Sequence, residues 1–212
     1  MKKIIFFFYV IFNLFFFTIN SNSSVFDEKK KNIEIFGKIL KIGTSISFSK
    51  NNEIYWLNNF EKVSETENLS TYELENNKIK IIRYLKKYNN KINIEDHYIN
   101  KTSNTIGVIT NYEFFKFLPT STKISGSDIE VSNKILAENP TIILKNDKKT
   151  LGIYINDQFS KIHSKISINK DKNLNISNDN LIIKPKDKYI KSFTIYKFNK
   201  VISYYDFINF LR

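Results

Sequence analysis

From Lys91 onward no helical period persists, and apolar residues fall in short strand-like runs separated by Asn, Asp, Lys and Ser. This pattern constrains the fold more than any other feature. Ile92/Ile94, Ile106-Gly107-Val108-Ile109, Tyr112 to Leu118, Leu174/Ile176, Leu181 to Ile183 and Phe193 to Phe198 each read as a strand with one face turned inward. The clearest hairpin pairs Thr141 to Leu144 with Leu151 to Ile155 around the polar tip Lys145 to Lys149, with Pro140 at the entry. Ile162, Ile166 and Ile168 add a further short segment, and Tyr204 to Leu211 reads either as a last strand or as a short docking helix.

The first half is mixed. Ile33, Ile35, Ile39 and Ile42 begin a period-two pattern continued by Ile46 and Phe48, with a turn expected near Gly43. Trp56 in Ile54 to Leu57 is a core anchor by the area it buries, and Ser64 to Asn68 reads as a loop. Ser70-Thr71-Tyr72-Glu73 has capping-box spacing, in which hydroxyl and carboxylate each accept an orphaned backbone N–H. Ile79, Ile82 and Leu85, with Ile81 and Tyr88, recur at helical spacing, so one amphipathic helix is predicted over about residues 71–88. The expected class is therefore α+β, mainly β, built from short-stranded β domains with one amphipathic helix.

Met1-Lys2-Lys3, the apolar run Ile4 to Phe12 and its resumption at Leu14 to Ile19 lead into Asn20-Ser21-Asn22-Ser23. This is the layout of a secretory signal peptide over residues 1–23, an uncleaved anchor being the alternative, and it implies a periplasmic or secreted protein. Residues 24–110 are then expected as an α/β region and 111–212 as a β-rich domain. The chain carries a formal charge of +12, and about +10 remains without Lys2 and Lys3. In an exported protein such an excess faces anionic envelope surfaces or acidic partners, not nucleic acid, although much of it is solvated surface. Cysteine is absent, so no disulfide framework or thiolate chemistry is available. Asn68-Leu69-Ser70, Asn100-Lys101-Thr102 and Asn175-Ile176-Ser177 match the Asn sequon, as expected by chance in a chain rich in Asn.

Catalytic and cofactor motifs are missing. The two histidines, His97 and His163, lie in different segments without metal-ligand spacing, and no cofactor or metal is expected. Five glycines leave little material for phosphate-cradling loops. Asp96-His97 is the nearest approach to a base with an orienting acid, and a hydrolase reading depends on one of the histidines. Neighbouring carboxylates such as Glu95 and Asp96 point to opposite faces of a strand and do not share a cleft.

The stretch Phe117-Leu118-Pro119-Thr120-Ser121-Thr122-Lys123-Ile124-Ser125-Gly126-Ser127-Asp128-Ile129 looks like the opening of a SAF, or β-clip, module, with its apolar residue, turn, small polar residues and Asp-Ile. Together with the hairpin that follows, the segment 33–155 resembles the periplasmic chaperones of flagellar P-ring assembly. Ser167 to Lys188 departs from that family in lacking glycine. The resemblance implies a non-enzymatic assembly factor that transiently holds flagellar ring subunits and has no catalytic residue. The candidate partner-binding residues are Phe117, Lys123, Ile124, Asp128 and Ile129 in that stretch, with Lys145, Lys148 and Lys149 at the hairpin tip. The alternative is an envelope or surface protein whose basic face meets anionic polymer, lipid or a host protein.

Overall fold

A computed structural model describes residues 33–36, 40–50, 53–57, 60–129, 135–136 and 141–212. The predicted leader, Ile39, Pro140 and the Trp56 side chain lie outside the described parts. Lys31–Arg212 forms one compact unit. The boundary expected near residue 110 falls inside a strand.

The alternating pattern produces β1 (Ile33–Ile35), β2 (Leu40–Lys50), β3 (Glu53–Leu57), β4 (Glu61–Glu65), β5 (Leu69–Glu75), β6 (Ile79–Lys87), β7 (Lys91–Asn100) and β8 (Ile106–Phe115). There follow β9 (Ser121–Ile124), β10 (Ser127–Asp128), β11 (Ile135–Leu136), β12 (Thr141–Lys145), β13 (Thr150–Ile155), β14 (Lys165–Ile168), β15 (Leu174–Ile183) and β16 (Lys188–Phe198). Two short helices, α1 (Gln158–His163) and α2 (Tyr204–Leu211), interrupt and close the series. Among the described residues the strands form two antiparallel sheets. The smaller runs β1-β2-β8-β15-β14-β11 with β3 on β2, and the larger runs β10-β9-β12-β13-β16-β7-β6-β5-β4. Early and late strands are neighbours in both, so the two halves of the sequence share each sheet. The mainly-β class is as expected, and its form is a β-sandwich.

Residues 71–88 are not a helix. Asn76 breaks the segment: its Oδ1 accepts from the N–H groups of Lys78 at 2.8 Å and Ile79 at 2.9 Å, turning β5 into β6. Ile79, Ile81, Arg83 and Leu85 then share the inner face, while Ile82 and Tyr84 alternate outward. Their spacing fits a period of 3.6 only because this segment carries apolar residues on both faces. The capping-box residues serve cross-strand contacts instead. Ser70 Oγ donates to Glu65 at 3.1 Å and Glu73 accepts from Lys80 at 2.9 Å. The turn expected at Gly43 is also absent, because Gly43 pairs with Glu113 inside β2.

The core lies between the sheets, where Ile42, Tyr112, Phe114, Ile166 and Ile176 of the smaller meet Leu85, Ile94, Ile142, Ile153, Phe193 and Ile195 of the larger. Outer strand β4 is exposed throughout and carries Glu61, Lys62 and Glu65, charges that oppose pairing with another chain. The C-terminal segment is the helix. Ser203 Oγ accepts from Asp206 N–H while the Asp206 carboxylate accepts from Ser203 N–H at 2.9 Å, a reciprocal cap. These bonds to Ser203 hold the Asp206 carboxyl below its ordinary range.

Helix α2 docks on β12, β13 and β16 through Ile202, Tyr204 and Phe207, which pack with Ile143. Phe207 lies on Gly152, where an added Cβ would stand 2.5 Å from the ring. Gly152→Ala should therefore cost about 1–3 kcal/mol by overpacking, and Phe207→Ala about 3–5 kcal/mol by leaving a cavity. The double variant should be less destabilised than the sum, because the small ring site accepts the new methyl. Denaturant unfolding of the four proteins measures this coupling, and strict additivity would contradict the docking.

Candidate functional site

Strand β7 divides its residues between two environments. Ile92, Ile94, Asp96 and Tyr98 point inward, while Asn93, Glu95 and His97 lie on the outer face of the nine-stranded sheet. Register then assigns their neighbours. Asn93 sits between Lys86 and Thr194, Glu95 between Tyr84 and Ser192, and His97 between Ile82 and Ile190.

Hydrogen bonds tie this outer patch together. Lys86 Nζ donates to Glu95 Oε1 at 2.7 Å. Asn156 Nδ2 donates to Thr194 Oγ1 at 2.9 Å, and that hydroxyl donates to Asn93 Oδ1 at 3.1 Å. The His97 ring meets Tyr84 edge to face at 4.9 Å. Its Nε2 lies 3.7 Å from Glu95 Oε2, too far for a hydrogen bond, and this enclosed nitrogen has no other partner. Burial, with Lys188 adding to it, pulls the His97 pKa below its ordinary value despite the opposing pull of Glu95. A neutral imidazole with an unpartnered nitrogen beside a carboxylate is chemically able to accept and return a proton, and because this nitrogen is enclosed a hydroxyl laid on this face meets it only when a neighbouring side chain shifts.

Asp96 does not orient His97, since the two side chains are on opposite faces. Arg83 Nε and Nη2 hold the Asp96 carboxylate from inside at 2.7 and 2.6 Å, and all of these atoms are buried. Tyr112 of the opposite sheet donates to Asp96 Oδ2 at 2.5 Å and lies 2.8 Å from the Tyr98 hydroxyl. Burial opposes the Arg83 charge, but Asp96 outweighs it and the guanidinium stays protonated. Burial and the nearby Asp96 carboxylate raise both tyrosines well above their ordinary range.

Beside this cluster Lys191 reaches across the core to Thr110 Oγ1 at 3.1 Å and to Asn178 Oδ1, with its ammonium 4.7 Å from the Tyr112 ring centre. No carboxylate touches it, and burial lowers its pKa to about 8. His163 is in α1 against Phe159 at 4.5 Å. Among the described residues no three His, Cys, Asp or Glu gather as a metal site, and no helix is long and apolar enough to cross a membrane.

The residues singled out from sequence divide into two groups. Ile124 is buried in the core, Ile129 packs against it, and Lys123 pairs with Asp128 at 2.7 Å across the β9–β10 turn. Phe117, Lys148 and Lys149 are brought together in an open cleft of about 540 Å³ between the segment 116–120 and the β12–β13 tip. Lys145 joins these walls through its carbonyl, which accepts from Thr120 N–H at 2.6 Å and Thr120 Oγ1 at 3.2 Å. Tyr84, Lys86 and Glu95 went unrecognised as site residues. Reading β6 as a helix hides their cross-strand relation, and the period-two alternation of β6 is the signal that reveals it.

The low pKa of Lys191 has a measurable consequence. Its folded value lies below its unfolded value of 10.5, so the folded state binds fewer protons between pH 8 and 10. Stability should rise by about 2 kcal/mol across that window and fall again above pH 10, where unfolded tyrosines ionise more readily than buried Tyr98 and Tyr112. Urea unfolding from pH 7 to 11 should show this rise in the native protein and lose it in Lys191→Met.

No protein-family model matches the chain, and no curated protein matches it in sequence. Solved structures do match in fold. An Escherichia coli K12 protein assigned as an aldose 1-epimerase aligns with TM-score 0.53 and 8% identity over 72% of this chain and 78% of that one. A galactose mutarotase related enzyme of Lactobacillus acidophilus aligns with TM-score 0.52 and 13% identity over 74% of this chain and 79% of that one. A Synechocystis sp. PCC 6803 protein aligns at TM-score 0.50 and 7% identity, covering 73% of each chain. These neighbours overturn the expected SAF module and the flagellar chaperone role built on it. A non-enzymatic role no longer follows either, since this architecture is one found in sugar-processing enzymes. At these identities the likeness is one of fold: the chain is a β-sandwich similar in architecture to these structures.

Proposed function

We propose that the protein acts on a carbohydrate held against the outer face of the nine-stranded sheet, with His97 and Glu95 as the proton-transferring pair. The observation that carries this reading is the enclosed, unpartnered Nε2 of His97 beside Glu95, on a face that also offers Tyr84, Asn93, Thr194 and Asn156. Sugars present hydroxyls to hydrogen-bonding side chains and C–H faces to rings, and this patch supplies both. The likeness in fold to an aldose 1-epimerase and a galactose mutarotase related enzyme supports the choice of substrate class.

Interconversion of anomers is the simplest reaction within reach of such a pair. Neutral His97 takes the proton from the C1 hydroxyl as the C1=O bond forms and the C1–O5 bond breaks, and the proton is returned to O5. Glu95, fixed by Lys86, stabilises the imidazolium formed in between. Reclosure on the other face of the carbonyl reverses each transfer. The leader remains a reading from sequence, and with it we infer that this chemistry is performed outside the cytoplasm.

Polarimetry of freshly dissolved α-D-galactose and α-D-glucose tests this. The native protein should accelerate mutarotation above buffer. His97→Asn should lose about 10²–10⁴-fold of that acceleration, while His163→Asn keeps it. Because the active imidazole is neutral, the rate should fall on acidification only below the ordinary histidine range. The absence of both acceleration and binding of any neutral monosaccharide would sink the proposal.

A further inference from the structure

We propose that the open cleft between the segment 116–120 and the β12–β13 tip is a second binding site, separate from the outer-face patch, and that it takes a carboxylated polysaccharide. Its walls are held in place without a ligand. Asn146 Oδ1 accepts from the N–H groups of Lys148 at 3.1 Å and Lys149 at 2.9 Å, and Asn146 N–H donates to Lys149 O at 3.0 Å, so the tip is a closed turn. Opposite, Lys116 turns the chain in the left-handed region at φ 78°, and buried Phe117 anchors the segment in the core. The two bonds from Thr120 to the Lys145 carbonyl fasten one wall to the other. A site built before its ligand arrives loses less entropy on binding.

The charge of the cleft is unspent. Lys116, Lys148 and Lys149 form no ion pair with the described residues, and among those residues Asp147 is the only carboxylate lining the cleft. Lys62, Lys80, Lys86, Lys87, Lys101, Lys123 and Lys165 are each matched to an acid, whereas Lys170, Lys172 and Lys200 are among other lysines with no ion pair to the described residues, so what sets the cleft apart is three such lysines on the walls of one opening. Leu118 is 64% exposed at the same opening, an apolar surface suited to the C–H face of a sugar ring. Ammonium groups carried on both walls of an open cleft, on backbone segments that are themselves held in place, match a chain that carries one negative charge per residue and lies along it. A net charge of +12 favours the approach of such a polymer.

The test is titration of the full-length protein with polygalacturonate at physiological ionic strength, with neutral dextran and phosphatidylglycerol vesicles as comparators. The native protein should bind the polygalacturonate and not the dextran. Lys148→Glu with Lys149→Glu should weaken binding by about tenfold or more, with Lys148→Gln alone giving a smaller loss in the same direction. Reversal of exposed Lys170 and Lys172, in the turn before β15, should change affinity by less than about twofold. Equal losses at the two positions, tighter binding to the vesicles, or no binding to the polygalacturonate would each overturn the proposal. His97→Asn should leave this binding unchanged, so failure at the cleft and failure at the outer face are read separately.

Discussion

The buried contact of Arg83, Asp96, Tyr98 and Tyr112, continued by Lys191, is the constraint on which the sandwich depends. Arg83, Asp96, Tyr98 and Lys191 stand on the nine-stranded sheet, and Tyr112, Thr110 and Asn178 stand on the other. An ion pair in such a place costs several kcal/mol per charge in lost hydration, and only good geometry with further hydrogen bonds offsets it. Here the fork of Arg83 meets both Asp96 oxygens, Phe60 covers the guanidinium at 4.4 Å, and Tyr112 takes a remaining lone pair. Aliphatic contacts tolerate small slips between sheets. Hydrogen bonds in a dry interior do not, so this cluster selects one alignment of the two layers.

That alignment also determines what lies on the outside. Successive residues of a strand face opposite ways, so placing Asp96 in the core places Glu95 and His97 on the open face. The same strand therefore contributes a structural carboxylate inward and a candidate proton-transfer pair outward. Helix α2 covers the β12, β13 and β16 end of that sheet, seated by Gly152, and so leaves the β6–β7 part uncovered by it. The hairpin β12–β13, whose inner face supplies Ile142, Leu144, Leu151 and Ile153 to the core, sends its basic tip to the rim as one wall of the cleft.

Much of this was legible in the chain itself. The hairpin Thr141 to Ile155, read from two apolar runs around a polar tip, the strand Phe193 to Phe198 and the pair Ile92/Ile94 stand as read. The segment 71–88 mimics a helix because Ile82, apolar but outward, completes a spacing of three with Ile79 and Leu85, while the Asn76 turn that breaks it is a matter of two local hydrogen bonds. The likeness to a SAF opening failed for a related reason. A run of small polar residues ending in Asp-Ile is satisfied by the ordinary turn between β9 and β10, where Lys123 and Asp128 simply pair. In the candidate site, Asp96-His97 drew notice as sequence neighbours, yet the partner that matters to His97 is Glu95, two residues away on the same face.

By itself, then, the sequence determined the mainly-β class, the positions of many strands, the absence of thiol chemistry and the cationic excess, because each depends on residue type or on contacts within a few residues. Tertiary structure alone decided which strands became neighbours beyond the β12–β13 hairpin, that Arg83 and Lys191 turn inward, that Tyr84 and Lys86 flank Glu95 and His97, and that Lys116 shares a cleft with Lys148 and Lys149. These are cross-strand and cross-sheet relations between segments up to about a hundred residues apart, and no local period encodes them.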